Sequence, residues 1–289
     1  MTVLARERAP AKINLCLYLG PTREDGRHEL VTLFDAVSLY DELEVSSAVQ
    51  DEVVCDGVEG PNLVGDALGA LRGAGWVAPP LRVTIKKRIP VAAGMGGGSA
   101  DAAALLRLAP RLAPVDGASR LRIAGRLGAD VPSQLVPGPW VGVGAGHRLL
   151  PAPELAPYSV VVLPQPFPLS TADVYRESDR LGLGRSPVEL DVVRHQLTLG
   201  FSDELVVNDL EPAALSLAPR LGETLGEVQR AGADHAIVCG SGPTIIGLFW
   251  GARGRSRARE AAAELAATYP GAVVADPVRG GDGALAPNE

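Results

Sequence analysis

The order of hydrophobic and polar positions first predicts a set of β-strands. Residues 11–19 alternate, with Ile13 and three leucines on one face and Lys12, Asn14, Cys16 and Tyr18 on the other. Alternation with a period of two is typical of a half-buried strand. The lysine and the amide indicate that the polar face borders a cleft. Further strands are predicted at residues 28–37, 40–46, 51–58, 81–89 and 139–149. The carboxylate-rich residues 40–44 are expected to form a solvated face.

Helices are predicted where capping residues precede apolar residues at helical spacing. Asn62 is expected to cap a helix that runs to about residue 74, and Asp116 one that runs to about residue 127. In the second half, Ser170 or Thr171 caps a helix that ends near residue 181. The remaining predicted helices lie at residues 187–198, 210–217, 219–230 and 253–268. Strands are predicted at residues 158–163, 236–238 and 272–275, and residues 239–249 are expected to form a second glycine turn that runs into a strand.

Strands and helices mix without a regular βαβ period, which favours an α+β fold over a doubly wound sheet. The proline-rich segment PAPELAP, residues 151–157, is the predicted domain boundary. We therefore expect an N-terminal domain at residues 1–152 and a C-terminal domain at residues 153–279. The glycine-rich tail, residues 280–289, is expected to be disordered.

Composition narrows the class of protein. A net charge of −7 argues against general binding to nucleic acid, and no apolar run is long enough to span a membrane. The first 15 residues do not resemble a signal peptide. The three cysteines are far apart and odd in number, which indicates free thiols in a reducing cytoplasm rather than a zinc site. Only three of the 27 basic residues are lysines, namely Lys12, Lys86 and Lys87.

One glycine-rich stretch carries the strongest chemical signal. Residues 90–106 read PVAAGMGGGSADAAALL, and they follow a predicted strand and lead into an alanine-rich helix. Glycines let an anion approach the backbone, and a helix start offers free N–H groups and the positive end of the helix dipole. The stretch lacks the Gly-Lys-Ser/Thr ending of a Walker loop and the third glycine of the dinucleotide fingerprint. We expect it to bind phosphate.

Two further motifs accompany this loop, PAKINL at residues 10–15 and GSGPTII at residues 240–246. The trio, in this order and spacing, resembles the GHMP kinases, a family of small-molecule kinases. DGRHEL at 25–30, PNLV at 61–64 and GADVP at 128–132 resemble the branch of that family that phosphorylates a hydroxyl of a cytidine diphosphate sugar alcohol in the non-mevalonate isoprenoid pathway. The resemblance spans most of the chain.

The resemblance implies an N-terminal domain like ribosomal protein S5, a ferredoxin-like C-terminal domain, and an active site between them. It also implies ATP and Mg²⁺ as cofactors, a small-molecule acceptor, and a monomer or homodimer. Lys12 and Asp130 would be the catalytic pair. The residues expected at ATP are Asn62, Lys87, Pro90, Val91, Ala92, Ala93, Gly94, Met95, Gly96, Gly97, Gly98, Ser99 and Ala100. Those expected at the acceptor are Asn14, Arg27, His28, Thr171, Gly240, Ser241 and Gly242.

The catalytic pair also makes chemical sense from the residue types alone. An aspartate can accept the proton of the attacking hydroxyl, and a lysine can stabilise charge on the γ-phosphate. We expect Pro132 to hold Val131 extended and so to fix the direction of Asp130. Read singly, Lys12 could be a solvated strand lysine and Asp130 a turn residue or helix cap. His147, His195 and His235 are interpreted as structural residues.

Two departures from the family pattern stand out. Arg27 occupies a position where the family often carries an aromatic residue that would stack on the cytosine; an arginine can also stack through its planar face. Ser133 and Gln134 follow GADVP where a more apolar continuation is common.

Another GHMP kinase, acting on homoserine or mevalonate, remains an alternative, as does a nucleotide-binding protein that has lost catalysis. The DGRHEL and GADVP motifs speak against the first, and intact Lys12 and Asp130 against the second.

Overall fold

The structure is a computed structural model that describes residues 2–58 and 60–279. Its first half is built on a six-stranded sheet. The elements of this half are β1 (Val3–Thr22), β2 (His28–Ser47), β3 (Glu52–Cys55), α1 (Leu63–Gly73), β4 (Leu81–Lys86), α2 (Gly97–Leu112), α3 (Gly117–Leu127), α4 (Val131–Gln134), β5 (Trp140–Gly144) and β6 (Arg148–Pro151).

Strand β2 is the centre of that sheet. It pairs antiparallel with β1 along nearly its whole length, and its other edge pairs with β5 at residues 30–34 and with β4 at residues 42–47. Strand β3 joins β4 in parallel, and β6 joins β5. Because β1 and β2 are 20 residues long, they extend from the helices of the first half to the sheet of the second half.

The second half is built on a four-stranded antiparallel sheet with the order β10-β7-β9-β8. Its elements are β7 (Tyr158–Leu163), α5 (Thr171–Leu181), α6 (Pro187–Leu199), α7 (Glu211–Leu217), α8 (Arg220–Arg230), β8 (His235–Val238), β9 (Ile245–Trp250), α9 (Gly254–Leu265) and β10 (Val273–Ala275).

The two faces of this second sheet belong to different cores, as the period of two requires. Val160 and Val162 of β7 pack with apolar residues of β1 and β2. Val161 and Leu163, on the opposite face, pack with residues of α8 and α9. A third core places α1, α2 and α3 on the first sheet. The sheets of the two halves are thus joined by a continuous apolar layer.

Most sequence predictions agree with these elements. The α+β class is confirmed, and three predicted caps are present. The side chain of Asn62 accepts a hydrogen bond from Val64 N at the start of α1, and Asp116 and Ser170 cap α3 and α5 in the same way. The domain bounds at 152 and 153 stay a prediction, although segment 151–157 does connect the two sheets. The predicted disordered tail lies outside the described residues.

Several predictions were wrong in detail. Residues 28–47 form one strand, because an irregularity opposite Pro10 and Ala11 absorbs the expected break. Residues 139–149 form two strands rather than one. Val131 is not extended: it begins helix α4, with Pro132 in the first turn, where proline needs no N–H partner. Residues 40–44 are not a solvated face throughout, because Asp41 is fully buried.

No helix among the described residues is both long enough and apolar enough to cross a membrane. Cys16, Cys55 and Cys239 are free thiols, as predicted.

Candidate active site

A cavity of about 600 Å³ opens between the two halves of the molecule. Lys12 and Asn14 of β1 line its floor, and the glycine loop, residues 90–99, forms one wall. Residues 129 and 130 and the start of α5 complete it, together with Gly240 and Ser241. The three motifs that stood apart in the sequence therefore border one space.

The glycine loop ends as an uncapped helix start. Gly94 and Gly96 have φ values of +77° and +66°, in the left-handed region where side chains are strained. Gly96 is the N-cap of α2, and because it has no side chain it cannot satisfy the first N–H groups of the helix. The first N–H groups of a helix have no partner within it. The helix start beside the cavity is therefore a suitable anion site.

Close backbone contacts fix the loop in place. Lys12 N donates to Met95 O at 2.9 Å. A Cβ atom on Gly94 would lie 2.3 Å from the carbonyl oxygen of Cys239, so only glycine allows this approach. Burial raises the pKa of the Cys239 thiol, which keeps that side chain neutral under the loop. The loop is thus held against both β1 and the turn at 239–242.

Lys12 and Asp130 face each other across the cavity. Lys12 Nζ lies 3.5 Å from Asp130 Oδ2 and donates to Asn14 Oδ1 at 3.0 Å. Asn14 Nδ2 in turn donates to Thr32 Oγ1 at 2.8 Å. Only 7% of Lys12 is exposed, so it is not a solvated strand lysine. Asp130 makes no side-chain capping bond although it precedes α4. Lys12 is therefore not a solvated lysine, and the side chain of Asp130 does not serve as a helix cap.

Gly96 brings the phosphate site and this pair together. A Cβ atom on Gly96 would lie 3.6 Å from Asp130 Oδ2 and 3.6 Å from Lys12 Cβ. The backbone at the helix start therefore borders both the carboxylate of Asp130 and the side chain of Lys12. A group held by the loop would be presented directly to them.

Lys87 is bound within the protein rather than free in the cavity. Its ammonium donates to one oxygen of Asp41 and, at 2.7 Å, to Asp101 Oδ2. Burial would lower the pKa of Lys87, but attraction to Asp101 and Asp41 raises it above its ordinary value. Lys87 lines the cavity wall, but its ammonium is already ion-paired with these two aspartates.

The far end of the cavity is bordered by α5. The hydroxyl groups of Thr171 and Ser241 form a hydrogen bond, with Thr171 Oγ1 2.9 Å from Ser241 Oγ. Tyr175 lines the wall, and its ring contacts the ring of His28 with the centroids 5.2 Å apart. His28 Nε2 lies 2.7 Å from Asp179 Oδ1. His28 therefore lies behind the wall, where it fixes the position of α5.

Not every predicted site residue lines the cavity. Arg27 is exposed on the turn before β2, Ala100 is buried inside α2, and His28 and Gly242 lie behind the wall. The predicted residues that do line it are Lys12, Asn14, Asn62, Lys87, Pro90, Val91, Ala92, Ala93, Gly94, Met95, Gly96, Gly97, Gly98, Ser99, Asp130, Thr171, Gly240 and Ser241. The three histidines interpreted as structural are not among the lining residues.

Sequence reasoning missed several polar and aromatic residues of the site. Asp101 is part of the glycine motif and could have been singled out from its place one residue into the alanine run. Thr32 and Phe34 line the cavity from β2, and their position depends on strand pairing. The ring of Phe34 lies 6.0 Å from Lys12 Nζ, a contact that no local pattern signals.

Comparison with known proteins agrees with this geometry. The family profile described as GHMP kinases N terminal domain matches residues 62–138, and that described as GHMP kinases C terminal matches residues 195–271. The chain belongs to the GHMP kinase family.

Within that family, relatives that are about 40% identical to the chain share one enzyme name. The chain is 42% identical to the 4-diphosphocytidyl-2-C-methyl-D-erythritol kinase of Streptomyces coelicolor, over 86% of this chain and 89% of that one. A crystal structure of 4-(cytidine 5'-diphospho)-2C-methyl-D-erythritol kinase is 36% identical, with a TM-score of 0.76, and the match covers 95% of this chain and all of that one. A homoserine kinase from Cytophaga hutchinsonii is 19% identical over 95% of this chain and 94% of that one, with a TM-score of 0.60, which shows a shared fold alone.

Proposed function

We propose that this protein transfers the γ-phosphoryl group of ATP to a hydroxyl of 4-diphosphocytidyl-2-C-methyl-D-erythritol, a step of the non-mevalonate isoprenoid pathway. The observation that carries the proposal is that the start of α2, Lys12 and Asp130 line one cavity, with Lys12 Nζ 3.5 Å from Asp130 Oδ2. It joins an anion site to a base and a cation in one cavity. The names of the relatives support the choice of acceptor.

Lys12 and Asp130 divide the chemistry between them. Asp130 Oδ2 accepts the proton of the acceptor hydroxyl as that oxygen attacks phosphorus. The Lys12 ammonium has three N–H groups; one donates to Asn14 and another faces Asp130. The third is available to an oxygen of the moving phosphoryl group, whose charge it offsets. Asn14, held by Thr32, keeps the ammonium in this orientation.

The residues present fit a magnesium ion that arrives with ATP rather than a permanent metal site. No group of three or more histidine, cysteine or acidic side chains in residues 2–58 and 60–279 could enclose a metal. Magnesium commonly binds substrate phosphates, several waters and one or two carboxylates. Two carboxylates among the described residues line the cavity, and because Asp101 is paired with Lys87, Asp130 is the one of these two that could contact such an ion. When bound, the ion neutralises phosphate charge.

The acceptor would occupy the end of the cavity bordered by α5. Its reacting hydroxyl would lie between Asp130 and the phosphate loop, and Thr171 and Ser241 offer hydroxyl groups along the way. The exposed guanidinium of Arg27 and the aromatic wall of Tyr175 are the candidates for contact with the cytosine. His28 would act by holding Tyr175 and α5 rather than by direct contact.

The proposal is tested by ADP release with four acceptors, namely 4-diphosphocytidyl-2-C-methyl-D-erythritol, the unmodified sugar alcohol, homoserine and mevalonate. We expect turnover with the cytidine compound to exceed the others, because binding of the base positions the hydroxyl. Faster turnover of homoserine or mevalonate would contradict the choice of acceptor. ATP binding without turnover of any acceptor would favour a catalytically silent nucleotide-binding protein.

The cytoplasmic location and the monomeric or homodimeric state stay predictions. The first is supported by the free thiols. Sedimentation of the purified chain tests the second.

A further inference from the structure

Lys87, Asp41 and Asp101 form a buried ionic cluster beside the glycine loop. Their side chains are 16%, 0% and 4% exposed. The Lys87 ammonium donates to one oxygen of each carboxylate. With both carboxylates ionised, the cluster carries one excess negative charge. This excess charge lies at a site that we propose receives phosphates.

The cluster is connected to the residues on both sides of the glycine loop. Asp41, on β2, accepts hydrogen bonds at Oδ1 from Arg88 N at 2.5 Å and from Ile89 N at 2.8 Å. These two residues directly precede the loop. Asp101 lies in the second turn of α2. Lys87 Nζ lies 3.1 Å from the position of a Cβ atom on Gly97, the first residue of that helix. A change of charge in the cluster therefore acts on both ends of the loop.

Asp101 is the member of the cluster that can hold a proton. Burial raises its pKa to about 7, with Asp41 adding to the shift and Lys87 opposing it. Its Oδ1 atom is buried and receives no hydrogen bond from the described residues. A protonated Asp101 would remove the excess charge. The other titratable neighbour is Cys55 of β3, whose pKa is raised chiefly by burial and which faces Lys87, both aspartates and Asp56. On its far side, α2 carries Arg107, which pairs with Glu7 of β1.

We propose that the Lys87–Asp41–Asp101 cluster takes up a proton when nucleotide phosphates bind at the start of α2, and that the neutralised cluster holds the glycine loop in its binding position. The inference rests on the proposed nucleotide site. Phosphate charge near a carboxylate disfavours its ionised form. Linkage is reciprocal, so the proton must strengthen nucleotide binding as much as the nucleotide strengthens proton binding. Asp101 is thus a positioning residue and makes no contact with the reacting atoms.

The test compares ATP binding by the wild type and by Asp101→Asn from pH 6 to pH 9. Asparagine keeps the shape and an acceptor for Lys87, but it cannot gain or lose this proton. If the nucleotide raises the pKa of Asp101 by one unit, wild-type Kd rises about tenfold relative to the variant over this range. The titration of ATP itself is common to both proteins and cancels in the ratio. Asp66→Asn, an exposed change of equal charge in the first turn of α1, is the matched control and should leave a constant ratio.

Calorimetry in buffers of different ionisation enthalpy gives a second readout. Near pH 8 the wild type should take up a fraction of a proton that Asp101→Asn does not. Asp41→Asn supplies an independent variant: it removes the neighbouring charge, so the midpoint of the pH dependence should move to lower pH.

The outcomes separate this inference from the proposed function. A wild-type to Asp101→Asn ratio that is constant with pH overturns the proton linkage, even if affinity falls, because a purely structural residue would act equally at every pH. Absence of ATP binding by the wild type at all pH values would instead overturn the proposed nucleotide site.

Discussion

Replacing Gly94 by alanine should weaken nucleotide binding by separating the two glycine turns. The new Cβ atom would lie 2.3 Å from the carbonyl oxygen of Cys239 and 3.0 Å from that of Gly242. These are backbone atoms, so the turn must retreat by about 1 Å to reach ordinary contact. The φ value of +77° adds a strain of roughly 1–2 kcal/mol for alanine. The loop can relieve both only by moving.

The expected loss of affinity follows from that movement. If the shift breaks one hydrogen bond between a loop N–H and a charged phosphate, the loss is about 1.5–3 kcal/mol. This corresponds to ATP binding that is about 10- to 150-fold weaker. The free energy of unfolding should fall by about 1–3 kcal/mol through the strain and the displaced turn.

Titration calorimetry with ATP and urea unfolding measure the two effects. Gly69→Ala, on the exposed side of α1 with open space around the new Cβ, is the matched control. It should stabilise the chain by about 0.5–1 kcal/mol and leave ATP affinity unchanged. If Gly94→Ala binds ATP within about twofold of the wild type, the close approach of the two turns does not position the phosphate site.

Substitutions at three other positions, Lys12, Asn62 and Asp101, have measurable consequences. Lys12→Arg should lower single-turnover transfer at least about 100-fold, because a planar guanidinium cannot place its donors at the point that the ammonium occupies between Asn14 and Asp130; a near-normal rate would refute this. Asn62→Ala should lower the free energy of unfolding in urea by about 1 kcal/mol, because it removes the cap of α1. Asn62→Asp should lower it much less, and equal losses in the two variants would show that the cap does not matter. Burial raises the pKa of Asp101 from 3.8 to about 7 in the folded chain. Asp101 therefore contributes on the order of 4 kcal/mol to the free energy of unfolding below pH 4. This contribution is lost as the pH rises to about 7. Asp101→Asn should lack this pH dependence in urea unfolding, and an identical pH profile would contradict the shift.

Local signals were sufficient to predict several helix starts and the glycine turn that precedes α2. The caps at Asn62, Asp116 and Ser170 depend on hydrogen bonds between near neighbours in the sequence. The glycine loop likewise combines a turn with a helix start, and both are local. The family resemblance brought Lys12 and Asp130 together before their 3.5 Å separation was known.

Pairing between distant segments accounts for what the sequence did not reveal. Asp41 lies in a charged segment that reads as exposed, and only the pairing of β2 with β4 and the docking of α2 bury it against Lys87 and Asp101. The surroundings of His28 depend on distant pairing in the same way. The motif suggested contact with the acceptor, which stays a prediction; the ring lies 2.7 Å from Asp179, 151 residues away in the sequence, and is not among the residues that line the cavity.

Phosphoryl transfer in a single turnover, with saturating ATP and 4-diphosphocytidyl-2-C-methyl-D-erythritol, is the direct test of Asp130 as the base. Asp130→Asn keeps the size of the side chain and removes the charge that accepts the proton. A positioned base contributes about 10²–10⁴-fold to the rate, so we expect a loss within this range with ATP affinity little changed. A rate close to that of the wild type would contradict it and leave Asp130 as a structural residue before α4.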